Sequence, residues 1–107
     1  MKYSILFTDT AKADLRDIAL YIAEQSQSVD IAVRFVNEIQ AHCEKLQDFP
    51  LMGAFPKDHL LKSLGYRFLV KDDYLICYTV SEEKSSVYIV AIFNAKKDYT
   101  RILRNLF

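Results

Sequence analysis

Apolar and polar positions along the chain shift from strand-like to helical spacing and later back again. Residues 3–7 (Tyr-Ser-Ile-Leu-Phe) make a short run suited to a first strand, and Thr8-Asp9-Thr10 then offers oxygen acceptors that can cap a helix start. Ala11, Leu15, Ile18, Ala19 and Ile22 recur at intervals of three and four, which predicts an amphipathic helix over residues 10–26. Lys12, Asp14, Arg16, Asp17 and Glu24 take up much of its remaining surface. Gln25-Ser26-Gln27-Ser28 breaks the pattern. Ser28 can cap a second helix, with Asp30 in its first turn favoured by the helix dipole. Ala32, Phe35, Val36, Ile39, Cys43 and Leu46 form its stripe, which ends near Phe49-Pro50. Two one-faced helices joined by a few polar residues predict an antiparallel hairpin that needs a further apolar layer.

Residues 50–63 hold both prolines and Gly53 and read as an irregular connection. Three strand-like runs follow, at residues 66–70, 74–80 and 87–93. Lys71-Asp72-Asp73 and Ser81-Glu82-Glu83-Lys84-Ser85 separate them, lengths that suit an antiparallel meander. Tyr74, Ile76, Tyr78 and Val80 share one face, Leu75, Cys77 and Thr79 the other; both are largely apolar, which makes this strand central. Lys96-Lys97-Asp98 ends the meander. Asp98 can cap a last short helix in which Tyr99, Ile102, Leu103 and Leu106 line up. The order β-α-α-β-β-β with a terminal helix predicts an α+β fold, its helical hairpin packed on one face of a small, mostly antiparallel sheet. No repeat or linker divides the chain, so residues 1–107 are expected to form one domain.

Composition sharpens this in three ways. The chain is 51% hydrophobic and 26% charged, a globular mix. Its zero net charge hides an asymmetry: residues 1–56 carry five Lys/Arg against eight Asp/Glu, and residues 57–107 carry nine against six. An anionic partner would therefore meet the C-terminal half, while the neutral total argues against a dedicated nucleic-acid binder. Cys43 and Cys77 lack a CxxC companion or a histidine cluster and read as two buried thiols rather than a disulfide or a reactive pair. No spacing suits zinc or calcium and no glycine-rich phosphate loop occurs, so neither metal nor cofactor is expected. Apolar runs are too short for a bilayer span and no secretory signal opens the chain, which predicts a cytoplasmic protein that does not enter a membrane.

The ordered strings "MKYSILFTDTAKADLRDIALYIAE", "AVRFVNEIQAHCEKLQDFPLMG" and "YRFLVKDDYLICYTVSEEKSSVYIVAIFNAKKDY" together resemble the RelE/ParE toxin superfamily over nearly the whole chain. The resemblance implies the toxin of a bacterial type II toxin–antitoxin system, a growth inhibitor of the plasmid-stabilisation kind, held inactive by a cognate antitoxin. RelE-like members cut messenger RNA on the ribosome; ParE-like members poison DNA gyrase. A shared fold does not choose between them, so the site must.

RNA cleavage by 2′-hydroxyl attack needs a base, cations for the developing charge and an acid for the leaving oxygen. On that reading the chain is a metal-independent endoribonuclease in which Arg67 and Lys97 stabilise phosphate charge and Tyr99 or His59 carries the proton. Leu75 stands where the ribonucleases tend to place an arginine, which removes one expected cation. The ParE branch resembles the chain more closely in its Tyr-Leu-Ile-x-Tyr strand, the preceding arginine and the closing basic-Asp. There Arg67, Lys71, Lys96, Lys97 and Asp98 are the implied target-binding residues. Asn94-Ala95 replaces that branch's frequent His-Gly, and Lys97 keeps the charge of an arginine without its bidentate fork. A third reading is a decayed member that only binds antitoxin. Each residue also has a plain structural alternative: ion pairing for Arg67, solvation for Lys96 and Lys97, packing for Tyr99. An antitoxin is expected along Leu20 and the Ile102, Leu103, Leu106 and Phe107 face, where a homodimer could form in its absence.

Overall fold

The computed structural model describes residues 2–96. Strand β1 (Ser4–Phe7) leads into helix α1 (Asp9–Ser26) through Thr8, whose Oγ1 accepts the Ala11 N–H at 3.1 Å and donates to the Val90 carbonyl at 3.0 Å. One hydroxyl thus caps the helix and ties it to the sheet. Gln27, in the left-handed region at φ 56°, ends α1, and Ser28 caps α2 (Val29–Glu44) by accepting the Ile31 N–H. A single 3₁₀ turn, Lys45–Gln47, completes the second helix. Both helices lie where apolar periodicity predicts them, and they pack on each other as a hairpin.

The later strands are β2 (Arg67–Lys71), β3 (Tyr74–Ser81) and β4 (Ser86–Asn94). They form a four-stranded sheet in the order β1-β4-β3-β2, in which β1 runs parallel to β4 and the other pairs are antiparallel. The α+β architecture and the mostly antiparallel sheet are as expected, and β3 is interior. A bulge between Cys77 and Tyr78 leaves Val90 as the extra residue of β4.

Alternation across the pleat separates two cores. Leu69, Ile76, Tyr78, Val87, Ile89 and Ile92 face the hairpin and meet Ala11, Leu15, Ile39, Cys43 and Leu46. Phe68, Cys77, Ala91 and Phe93 face the opposite way and are covered by Leu61 and Tyr66. The second core corrects one expectation: the stretch predicted to be an irregular connection contains helix α3 (His59–Ser63). Asp58 starts it by accepting the Leu61 N–H at 3.1 Å, and its reason for forming is the burial of Leu61 against the sheet. Cys43 and Cys77 are buried and unpaired in separate cores. Burial pushes the Cys43 thiol up to about 12 and raises Cys77 likewise, which makes both poor nucleophiles at neutral pH.

Candidate functional site

Arg67 opens β2 on the hairpin side of the sheet, opposite Tyr78. Its guanidinium is directed at the turn that precedes α3. Nη1 donates to the Leu51 carbonyl at 3.1 Å and to the Gly53 carbonyl at 2.9 Å, and the guanidinium carbon lies 4.1 Å from the centre of the Phe55 ring. Tyr78, fully buried, accepts the Gly53 N–H at 2.8 Å from the other side. Burial raises the Tyr78 phenol, while the Gly53 N–H and the nearby Arg67 charge pull it back down. Ala54 and Phe68 exchange a pair of backbone hydrogen bonds that extends the outer edge of β2. The turn is therefore fixed at three successive places by strand residues.

Lys71 closes β2 on the same face, four residues and roughly 13 Å from Arg67 at the strand rise. Its Nζ lies 3.6 Å from Glu38 Oε2 on α2 and 3.7 Å from Asp72 Oδ2. Pairing carries the row onward from Lys71 to Tyr74 and then Asn94, so Lys71 shares one end of the sheet with the close of β4. Lys96, exposed, follows there, its backbone N–H donating to Asn94 Oδ1. Arg67 and Lys71 are thus engaged in separate contacts, one fastening a turn and one bridging to α2. Lys97, Asp98, Tyr99, Ile102, Leu103, Leu106 and Phe107 lie outside the described residues. His59 is the exposed first residue of α3, on the far side of the sheet from the hairpin helices.

Beside this end lies a cleft of about 750 Å³ between α1 and the end of β4. Asp14, Asp17, Ile18 and Tyr21 form its helical wall, and Tyr74, Ile92, Phe93, Asn94 and Lys96 its strand wall. It exists because β1 pairs with β4 only as far as Ile89, after which α1 takes the place of a strand. Asp14 Oδ2 accepts the Ile92 N–H at 3.0 Å, so a helix carboxylate substitutes for the missing carbonyl. Burial, Tyr21 and Asp73 raise the Tyr74 phenol. Leu20 and Tyr21 are both exposed on α1. The sequence does not single out Asp14 or Tyr78, and the Phe49-Pro50-Leu51-Met52-Gly53 turn is visible in it only as part of the string that resembles the superfamily.

Among the described residues no group of three His, Cys, Asp or Glu side chains is placed to hold a metal ion, and no helix is long and apolar enough to cross a membrane.

Comparison with known proteins follows the same outline. No protein of curated function matches the chain significantly in sequence. Among solved structures, a chain of the chromosomal ParDE system from P. aeruginosa superposes with a TM-score of 0.71 at 21% identity, covering 87% of this chain and 96% of that one. A chain of the toxin–antitoxin complex RelBE2 from Mycobacterium tuberculosis gives 0.65 at 20% identity, covering 88% and 92%. A double arginine-to-alanine variant of E. coli toxin RelE in the free state gives 0.65 at 15% identity over the full length of both chains. These likenesses show the fold. The family model described as "ParE toxin of type II toxin-antitoxin system, parDE" matches residues 5–99. The chain belongs to the ParE toxin family, within the RelE/ParE superfamily of type II toxin–antitoxin toxins.

Proposed function

We propose that the protein inhibits growth by binding a target protein, DNA gyrase being the one expected of this branch, and that a cognate antitoxin neutralises it. The carrying observation is the engagement of Arg67. A guanidinium that donates to two carbonyls and stacks on Phe55 is committed to shaping a surface. Cleavage of RNA would need a base, an acid and a cation within hydrogen-bond reach of one phosphodiester. Among the described residues of that set, Arg67, Lys71 and Lys96 stand at separate places, and His59, one of the two expected proton carriers, lies across the sheet from the hairpin helices. That distribution supports recognition over catalysis. Target binding is assigned to Arg67, Lys71 and Lys96 on the described part of the chain, together with Lys97 and Asp98.

Antitoxin docking is assigned to Leu20 on α1 together with Ile102, Leu103, Leu106 and Phe107. The exposed pair Leu20 and Tyr21, beside the open cleft, supports an apolar contact there. Action in the cytoplasm and plasmid stabilisation follow from the same reading, as does self-association through this surface when antitoxin is absent.

Supercoiling by purified gyrase, assayed with and without the protein, tests the target. Inhibition is expected, and it should disappear on adding the protein encoded beside this gene. Unchanged supercoiling together with cut messenger RNA on translating ribosomes would replace this reading with the endoribonuclease one. Unchanged supercoiling, intact RNA and a bound antitoxin would leave a decayed toxin.

A further inference from the structure

The turn ahead of α3 carries a surface that neither the cleft nor the cationic end of the sheet accounts for. Phe49, Leu51, Met52 and Phe55 are 66%, 53%, 48% and 49% exposed, four large apolar side chains within seven residues. Scattered exposed apolar residues are ordinary, but this group lies on a backbone that is not free to rearrange. The Met52 N–H donates to the Phe49 carbonyl at 3.2 Å, Gly53 is held at its N–H by Tyr78 and at its carbonyl by Arg67, and Ala54 is paired with Phe68. A turn ordered in advance presents its side chains to a partner without a further loss of chain entropy. A concentrated apolar surface with a polar rim is the mark of a protein contact.

The rim says what kind of partner fits. Over residues 45–67 the chain has four cations, Lys45, Lys57, Lys62 and Arg67, and two acids, Asp48 and Asp58. Asp58 already caps α3. Lys62 Nζ stands 5.1 Å and the Arg67 guanidinium carbon 4.1 Å from the Phe55 ring centre, so positive charge borders the apolar group directly. A basic partner would be repelled, and a small anion would gain nothing from the four apolar side chains. We infer that the 49–55 turn is a docking surface for an acidic segment of a partner protein that carries an apolar anchor. The anchor covers Leu51, Met52 and Phe55, and the flanking carboxylates meet Lys57 and Lys62. The inference goes beyond the target reading, since a chain without effect on gyrase could still bind such a segment.

The test is a nuclear magnetic resonance titration of the isotope-labelled full chain with short synthetic peptides. One carries a central Leu-Phe pair between glutamates, a second the same pair between lysines, a third serines in place of the pair. Shifts are expected at residues 49–55 and at Arg67, with the first peptide binding at least about tenfold more tightly than either control and more weakly as salt rises. Leu51→Ser and Met52→Ser, at exposed positions, should leave the spectrum otherwise intact and weaken binding several-fold. Equal affinity for the glutamate and lysine peptides would overturn the inference. So would shifts confined to the α1–β4 cleft, no shifts at millimolar peptide, or binding to vesicles of phosphatidylglycerol and phosphatidylcholine without binding to the peptide. Growth arrest and supercoiling do not enter these readouts, so their failure and this one remain distinguishable.

Discussion

Gly53 and Tyr78 are fitted to each other so closely that neither can be changed alone. The Gly53 N–H donates to the Tyr78 phenolic oxygen at 2.8 Å, and a methyl group on Gly53 would sit 2.5 Å from that same oxygen and 2.8 Å from the Phe68 carbonyl. The second contact is with backbone, which cannot rotate away. Gly53→Ala should therefore displace the turn and cost about 1–3 kcal/mol. Tyr78→Phe keeps the ring but leaves a buried N–H without its acceptor, a loss of about 1–3 kcal/mol. Urea unfolding of both variants checks these figures, and faster amide exchange at Gly53 and Ala54 should accompany each loss.

Arg67 should act on the turn before it acts on any target. Arg67→Ala removes the donor to the Leu51 and Gly53 carbonyls and the contact with Phe55, and is expected to cost about 1–2 kcal/mol. Arg67→Lys keeps the charge but lacks the planar guanidinium that covers the Phe55 ring while one of its nitrogens serves both carbonyls, so it should recover less than half of that loss. Toxicity should fall in both. Full toxicity of Arg67→Ala with a loosened turn, seen by amide exchange, would remove Arg67 from the target surface.

Asp14 should prove a sheet residue that happens to reside on a helix. Asp14→Ala leaves the Ile92 N–H without the carboxylate oxygen that receives it at 3.0 Å, and about 1–3 kcal/mol of stability should go with it. Asp14→Asn retains an acceptor oxygen and should recover most of the loss. Equal destabilisation by the two substitutions would assign the effect to charge instead of to this hydrogen bond.

His42 sets a mild acid sensitivity. It lies on α2 against the Val70 backbone, and its pKa is lowered below 6.5 by burial first and by the Lys45 and Lys71 charges next, with the Val70 contact opposing. Folding therefore favours the neutral ring. Its contribution is complete above the free-imidazole value and declines as the pH falls through the lower folded-state value. The urea midpoint should drop between pH 7.5 and pH 5.5, and His42→Asn should flatten that drop. An unchanged slope in the variant would place the sensitivity in other groups.

Local pattern recovered some elements and not others for identifiable reasons. The stripes of α1 and α2 and their caps at Thr8 and Ser28 are short-range features, readable over three or four positions. The meander was equally visible, because period-two runs bounded by charged turns need no knowledge of the partner strand. Helix α3 was not, since five residues between a proline and a glycine are too few to show periodicity, although Asp58 at its start carried a capping signal. The candidate site divided in the same manner: the residue types were legible, but their occupations were not. Arg67 reads in the sequence as a target-binding or ion-paired cation; its engagement by carbonyls is hidden because these belong to Leu51 and Gly53, sixteen and fourteen positions away.

The chain alone determined the order of its first strand, helical hairpin and three-stranded meander, its α+β class and its kinship with the toxin superfamily, because these rest on side-chain spacing and on ordered local strings. Tertiary structure decided which cations are already engaged, that a second core lies behind the sheet, and that α1 takes over from β1 along β4. Those outcomes depend on contacts between distant positions, such as Asp14 with Ile92 or Gly53 with Tyr78, and a distance across the fold is written in no local period.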